Sequence, residues 1–156
     1  MAGLVLSQAT SAADIALARE LFLEYQSELG ISLCFQGFDA ELAALPGSYV
    51  PPQGRLLIAR VDGMVAGCGA LRPHSAGEGE LKRVYVRSAM RGHRVGIALC
   101  EALIGAARQA GYSRLLLDTL PSMQAAQALY SQLGFAYTSA YTDNPVEGAR
   151  FMELRL

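Results

Sequence analysis

The chain has few of the residues that usually mark metal, disulfide or nucleic-acid functions. Its 156 residues include three cysteines and two histidines, and 13 basic against 14 acidic side chains give a net charge of −1. A charge so close to zero argues against sequence-independent binding of nucleic acid, which needs a broad basic face. With only His74 and His93 present, we expect no metal site.

The cysteines and the N-terminal segment indicate the cellular compartment in which we expect the protein. Cys34, Cys68 and Cys100 are odd in number and form no CxxC pair, which favours a reduced, cytoplasmic setting. The first nine residues lack a basic segment followed by a long apolar run, so we expect no signal peptide. No apolar run is long enough to cross a membrane, and we expect no membrane partner.

The composition that remains is that of a folded protein. Hydrophobic residues make up 52% of the chain and charged residues 17%. This balance favours a packed core over disorder, and the length suits one domain over residues 1–156.

Apolar periodicity and turn signals predict alternating strands and helices. Predicted helices begin at Thr10 or Ser11, at Asp39 as a cap, at Val95, and at Pro121-Ser122; they end at Gly30, Leu45, Ala110 and before Gly134. Residues 74–79 are predicted as a polar link. The predicted strands are Leu4–Gln8, Leu56–Val61, Met64–Leu71, Leu81–Val86, Leu115–Thr119, Phe135–Tyr141 and Arg150–Leu156. Antiparallel strands followed by strand–helix–strand units favour an α/β fold with a mixed sheet and helices on both faces.

The most informative stretch lies between a strand and a helix, from Arg91 to Leu99. A short glycine-containing turn at this point leaves backbone N–H groups unpaired at the positive end of the helix dipole. With two arginines beside them, these donors predict a phosphate-binding site. The stretch is neither a Rossmann G-x-G-x-x-G fingerprint nor a P-loop.

Two segments, Val84 to Leu99 and Ala128 to Phe135, together with the order of elements, resemble the GNAT superfamily of acyl-CoA-dependent N-acyltransferases. The turn of that family reads [QR]-x-x-G-x-[GA]. Arg91 holds its first position and Gly96 its last, whereas Arg94 stands where the family usually has its first glycine. The resemblance implies a twisted, mostly antiparallel sheet of about seven strands flanked by about four helices.

The resemblance also implies acetyl-CoA as the cosubstrate. Its diphosphate would bind backbone N–H groups from about His93 to Ala98, and its pantetheine arm would lie along a strand that splays from its neighbour. The implied cofactor-binding residues are Val84, Tyr85, Val86, Arg91, Gly92, His93, Arg94, Val95, Gly96, Ile97 and Ala98.

Two residues occupy the positions of catalytic groups in the family. Tyr130 matches the tyrosine that acts as general acid toward the CoA sulfur, and Glu80 matches a general-base glutamate. Glu78 and a water held by the backbone are alternatives to Glu80 as the base.

The family binds the acceptor opposite the cofactor. The implied acceptor residues are Phe35, Gln36, Arg72, Arg83, Tyr141 and Asn144, in which the arginines are candidates for a substrate carboxylate. The expected partner is a small molecule with a primary amine, with a peptide amine as an alternative. Such proteins commonly form dimers through their terminal strands, so a homodimer is an open alternative.

The resemblance thus predicts an N-acetyltransferase. Two other hypotheses are a non-catalytic module of the same fold that senses acyl-CoA, and a nucleotide-binding regulator unrelated to CoA.

Overall fold

A computed structural model of the chain describes residues 3–156, apart from the side chain of Phe35. The strands are β1 (Leu4–Gln8), β2 (Arg55–Val61), β3 (Met64–Ser75), β4 (Glu78–Val86), β5 (Arg114–Thr119), β6 (Ala136–Thr138) and β7 (Arg150–Arg155). The helices are α1 (Ala12–Leu29), α2 (Phe38–Ala44), α3 (Val95–Gln109) and α4 (Gln124–Gln132).

The strands form one open sheet in the order β1-β2-β3-β4-β5-β7-β6. Strands β4 and β5 pair in parallel, and the other neighbours pair antiparallel. The predicted fold class, a mixed and mostly antiparallel sheet with helices, is confirmed.

Alternation along β2 explains why helices cover both faces of the sheet. Leu57 and Ala59 belong to the core beneath α3, whereas Leu56 and Ile58 belong to the core beneath α1 and α2. Successive side chains of a strand point to opposite faces, so one strand contributes to both cores.

Several local signals act as the sequence predicts. The Ser11 side chain caps α1 by accepting a hydrogen bond from the backbone N–H of Asp14 at 3.1 Å. Gly30 ends the helix with a left-handed φ of 70°. Asp62 and Gly63 turn the β2–β3 hairpin with φ values of 50° and 82°, which is the pairing of positive φ angles that tight hairpin turns prefer.

Two predicted helix starts are wrong. Gly37, with a φ of 68°, precedes α2, and Asp39 lies inside the first turn instead of capping it. Pro121 and Ser122 belong to a turn, and α4 begins only at Gln124. In both cases the backbone conformation before the helix, rather than a capping side chain, sets where the helix begins.

Two predicted strand bounds also differ. The predicted polar link over residues 74–79 extends the hairpin of β3 and β4, because Arg72 pairs with Glu80 and Ser75 with Glu78 across the sheet. The predicted strand from Phe135 to Tyr141 shortens to Ala136–Thr138. Pairing with a neighbouring strand decides these bounds, and composition does not reveal it.

Strands β4 and β5 are paired only over their first residues and then diverge. Their pairing covers only Glu78 to Glu80 against Arg114 to Leu116, although both strands continue. The edge of β4 that pairs with β3 contains a bulge. Cys68 pairs with Tyr85 and Ala70 pairs with Lys82, so two residues of β4 lie opposite the single residue between Cys68 and Ala70. Arg83, at the bulge, has a left-handed φ of 58°. The bulge bends β4 and leaves a gap beside β5.

Close contact between β3 and β4 depends on Gly67. A Cβ atom there would overlap the carbonyl oxygen of Tyr85, which is backbone and cannot rotate away. We therefore expect Gly67→Ala to lower the free energy of unfolding by about 2–3 kcal/mol.

Gly105→Ala is the matched control, because a Cβ atom at this position of α3 meets nothing within 4 Å. It should raise stability by about 0.5–1 kcal/mol through helix propensity. Urea denaturation measures the unfolding free energy of both variants. Equal changes in the two variants would contradict the close approach of β3 and β4 at Gly67.

Candidate active site

A cleft of about 650 Å³ opens where β4 leaves β5, bounded by α1, the start of α3 and the segment of α4. From the predicted cofactor set, it is lined by Val84, Tyr85, Val86, Arg91, Gly92, Arg94, Val95, Gly96 and Ile97. Its other lining residues are Tyr25, Glu28, Leu29, Ser122, Met123, Ala125, Ala126, Leu129, Tyr130 and Gln132.

The start of α3 forms one wall of this cleft. Arg94 precedes the helix with a φ of 60° and gives it no side-chain cap. The backbone N–H groups of the first turn, at Val95, Gly96 and Ile97, have no acceptor one turn earlier in the helix. These donors and the helix dipole meet at the cleft, which is the arrangement that binds phosphate.

Two residues of the predicted phosphate set lie differently. The backbone N–H of Ala98 donates to the carbonyl oxygen of Arg94 at 3.2 Å, so it is already engaged. His93 is exposed and does not line the cleft. Arg91 lies at the cleft, where its Nε donates to the Val86 carbonyl oxygen at 3.2 Å and its guanidinium pairs with Glu28.

Tyr130 lies at the inner end of the cleft. Its side chain is 5% exposed and packs edge-on against Phe135, with ring centroids 5.7 Å apart. Burial raises the pKa of Tyr130 well above its ordinary value of 10.0. The phenol therefore stays protonated at neutral pH and is suited to donate a proton rather than accept one.

A second cavity, of about 210 Å³, lies on the other side of the gap and is lined almost entirely by polar side chains. We call it the acceptor cavity; its lining residues are Gln36, Arg72, His74, Glu80, Lys82, Asp118, Thr142 and Asp143. Three of these, Gln36, Lys82 and Asp118, also line the narrow gap of about 30 Å³ that Val84 and Tyr130 border. Among the described residues, the cleft and the acceptor cavity share no lining residue, and the narrow gap between β4 and β5 lies between them and borders both.

Glu80 is 2% exposed, accepts two hydrogen bonds and forms an ion pair with Lys82. The Tyr141 hydroxyl donates to it at 2.6 Å, Arg72 Nε donates at 2.9 Å, and Lys82 Nζ lies 3.8 Å away. Burial alone raises the pKa of Glu80, but Lys82, the Tyr141 hydroxyl and Arg72 outweigh it, and the pKa lies below its ordinary value. These contacts favour the ionised carboxylate and weaken it as a direct base.

Lys82 and Asp118 face each other across the gap. Lys82 is 5% exposed, and its Nζ lies 3.4 Å from Asp118 Oδ1. Burial lowers the pKa of Lys82, and the attraction of Glu80 and Asp118 offsets only part of that effect. Asp118 Oδ2 also accepts hydrogen bonds from Asn144 Nδ2 at 3.1 Å and from Gln36 Nε2 at 3.3 Å.

The other predicted acceptor residues are brought to the same region but differ in what they contact. Arg83 is buried, and its guanidinium donates to both oxygens of Glu41 at 3.0 Å and to Gln36 Oε1 at 2.6 Å. Its donors are thus directed at protein groups. Tyr141 binds Glu80 and Asn144 binds Asp118, while the predicted Phe35 side chain lies outside the described part of the chain.

Sequence reasoning missed Lys82 and Asp118 as members of the site. Asp118 had one local signal, since it lies near the carboxyl end of a strand that follows the cofactor helix. Lys82 had another, as it is two residues from Glu80 and therefore on the same face of β4. Nothing local indicated that the two side chains meet.

Other kinds of site find little support in the part of the chain that is described. No group of three or more His, Cys, Asp or Glu side chains there is arranged to hold a metal ion. The three cysteines are free thiols, and burial raises the pKa of Cys100 to about 12. Over residues 3–156, no helix has both the length and the apolar character needed to span a bilayer.

The sheet opens beside the uncapped start of α3, and the protonated Tyr130 lies at the gap. A model of the acetyltransferase (GNAT) family matches residues 17–135. An uncharacterized N-acetyltransferase of Schizosaccharomyces pombe is 38% identical over 145 residues, which is 92% of this chain and 89% of that protein. The chain belongs to the GNAT family of acetyltransferases.

Solved structures agree on the fold. An acetyltransferase of Streptococcus agalactiae superposes with a TM-score of 0.81 at 21% identity, covering 99% of both chains. A GNAT family acetyltransferase of Elizabethkingia anophelis, which has acetyl-CoA bound, superposes with a TM-score of 0.70 at 20% identity, covering 98% of both chains.

The ion pairs of Glu80 predict a pH-dependent stability difference. Because its pKa in the folded protein is lowered from 4.5, its stabilising contribution is present above pH 4.5 and disappears as the pH falls through the folded value. Glu80→Gln should therefore lower the unfolding free energy by about 2–3 kcal/mol at neutral pH, with the difference shrinking in acid.

Urea denaturation of the wild type and of Glu80→Gln, from neutral pH to below pH 4.5, measures this difference in unfolding free energy. Glu101→Gln, at an exposed position of α3, is the control and should change stability by less than about 0.5 kcal/mol throughout. A loss in Glu80→Gln that is the same at every pH would show that packing, and not charge, is responsible.

Proposed function

We propose that the protein transfers an acetyl group from acetyl-CoA to a primary amine of a small molecule, by direct attack in a ternary complex. One observation carries the proposal: the narrow gap that Tyr130 borders lies between the cleft at the start of α3 and the polar acceptor cavity, and it shares lining residues with both. The acetyl-CoA bound to the related Elizabethkingia anophelis structure supports the choice of donor.

The cleft offers acetyl-CoA three kinds of contact. The N–H groups of Val95, Gly96 and Ile97 would hold the diphosphate, with Arg94 nearby. The backbone of Val84 to Val86 lies on the β4 edge that has left β5, so it is free of ladder bonds on that side. Its N–H groups would bind the pantetheine arm and the thioester oxygen, where a donor stabilises the oxyanion of a tetrahedral intermediate.

The reaction then needs three proton movements. The acceptor ammonium loses one proton, and its nitrogen lone pair forms the bond to the acetyl carbon. As the carbon–sulfur bond breaks, Tyr130 donates its phenolic proton to the departing sulfur, and the second proton released by the nitrogen restores the phenol. The products are the acetamide, CoA and one proton.

Glu80 fits the first proton movement best through water. Its contacts with Tyr141, Arg72 and Lys82 weaken it as a direct base, but its carboxylate lines the acceptor cavity and can orient a water molecule there. Glu78 is a poorer alternative, since Arg114 Nε donates to it at 2.7 Å beside the β3–β4 turn, away from the gap.

Three further properties follow from the same site. The acceptor cavity of about 210 Å³ suits a small amine better than a peptide. All named groups belong to one chain, so the proposed reaction requires no homodimer. The free thiols are in keeping with a reducing, cytoplasmic location.

Tyr130→Phe tests the general acid. The substitution removes the phenolic proton donor and keeps the ring, so we expect kcat to fall about 100- to 10,000-fold while acetyl-CoA still binds. Release of CoA thiol in the presence of a panel of primary amines measures kcat, and calorimetry measures binding.

Tyr137→Phe is the matched control, because Tyr137 is 51% exposed and its hydroxyl contacts only Gln127 among the described residues. It should retain activity. If acetyl-CoA binds tightly but no amine releases CoA, the chain is an acyl-CoA sensor; stabilisation by ATP and not by CoA would instead indicate a nucleotide-binding regulator.

Arg94→Gly should change stability and cofactor binding in opposite directions. Glycine relieves the left-handed φ of 60°, a gain of about 0.5–1 kcal/mol after its own entropy is counted. Loss of the exposed cation should weaken acetyl-CoA binding about two- to fivefold, and less at high salt. Thermal unfolding and calorimetry check the two effects; tighter binding in the variant would show that Arg94 does not contact the diphosphate.

A further inference from the structure

The acceptor cavity presents both signs of charge within a small volume. Arg72 and Lys82 supply positive charge, and Glu80, Asp118 and Asp143 supply negative charge. We propose that the acceptor is a small amino carboxylate, with its ammonium group on Asp118 and its carboxylate on the guanidinium of Arg72. This inference rests on the proposed acetyl transfer and specifies its substrate class.

The size of the cavity limits the acceptor. Drug-sized ligands occupy pockets of roughly 300–1,000 Å³, and this cavity measures about 210 Å³. A molecule that fills it has few atoms, so its ammonium and carboxylate groups must be only a few bonds apart.

Asp118 is the carboxylate best placed for the ammonium group. It lines both the acceptor cavity and the gap beside Tyr130, so an ammonium bound to it lies next to the acetyl group. Its own hydrogen bonds measure 3.1–3.4 Å, whereas those of Glu80 to Tyr141 and Arg72 measure 2.6 and 2.9 Å. Longer bonds are weaker, and they leave Asp118 able to accept new ones.

Arg72 is the cation best placed for the carboxylate. Among the described residues only its Nε donates to a protein acceptor, Glu80, and its side chain remains 31% exposed. Glu80 thus holds the guanidinium through Nε, and Arg72 lines the cavity with its terminal nitrogens bound to no protein acceptor among the described residues. A planar guanidinium held in this way matches the two oxygens of a carboxylate.

Lys82 selects against amines of higher charge. It is buried 3.4 Å from Asp118 and lines the same cavity, so a second ammonium group held beside Asp118 would face like charge. Asp143, the third carboxylate of the cavity, is exposed, so water screens the attraction that it would offer such a group. An amine without a carboxylate would displace water from the Arg72 guanidinium and provide no anion to bind it, so the guanidinium would lose its hydration without a replacement. Both classes should be poorer acceptors than an amino carboxylate.

Matched acceptors provide the test. The wild-type protein and acetyl-CoA are incubated with glycine, β-alanine and γ-aminobutyrate, with their carboxamides, and with alkylamines of equal length, and CoA thiol release is measured. We expect kcat/KM for the best amino carboxylate to exceed that for its carboxamide by about 10- to 100-fold.

Two variants separate the two ends of the acceptor. Arg72→Gln should bring the ratio of carboxylate to carboxamide activity close to one, and Arg72→Lys should keep part of it. Asp118→Asn should lower kcat/KM for both acceptors and leave their ratio in place, because both carry the ammonium group. Arg108→Gln, in the exposed last turn of α3, is the control and should keep the wild-type ratio.

The outcomes distinguish this inference from the function on which it rests. If carboxamides or alkylamines react as fast as amino carboxylates in the wild type, acetyl transfer stands and the substrate class is wrong. If Arg72→Gln keeps the wild-type ratio, the assigned carboxylate site is wrong. If no acceptor of any class releases CoA, the acetyl transfer itself fails, and this inference with it. The wild-type comparison needs no variant to fold.

Discussion

The ion pair between Arg83 and Glu41 secures the bend in β4 on which both halves of the site depend. Arg83 has a left-handed backbone at the bulge, a conformation that costs a non-glycine residue about 1–2 kcal/mol. Its guanidinium is buried, binds Glu41 through two hydrogen bonds of 3.0 Å, and lies over the Phe38 ring. These contacts offset the backbone cost and fix β4 away from β5. Without the parting of the strands, neither cavity would reach the other.

The local parts of this design could be predicted from the sequence. The Ser11 cap, the Asp62-Gly63 hairpin and the turn from Arg91 to Gly96 each combine a short motif with its own hydrogen bonds or backbone angles. Such features are decided within a few residues, so the printed sequence contains most of what determines them.

The acceptor cavity could not be predicted to the same extent, because its contacts join distant segments. Asp118 receives Gln36 from the loop before α2, Lys82 from β4 and Asn144 from the loop before β7. Glu80 lies in β4, one residue before the predicted strand Leu81–Val86, and its two shortest partners, Arg72 and Tyr141, come from β3 and from the loop after β6. Hydrogen bonds from those partners stabilise the Glu80 carboxylate and make it a weaker base. No sequence motif specifies the two partners.

The start of α3 and the acceptor cavity therefore differ in how strongly they depend on particular side chains. At the helix start the ligand would meet main-chain N–H groups, which are present whatever side chains follow the turn. In the acceptor cavity the contacts are made by side chains, and each is replaced by a single codon change. With the proposed function, such a chain could exchange its acceptor without rebuilding its donor site, so mutation would diversify substrates on a constant source of acetyl groups.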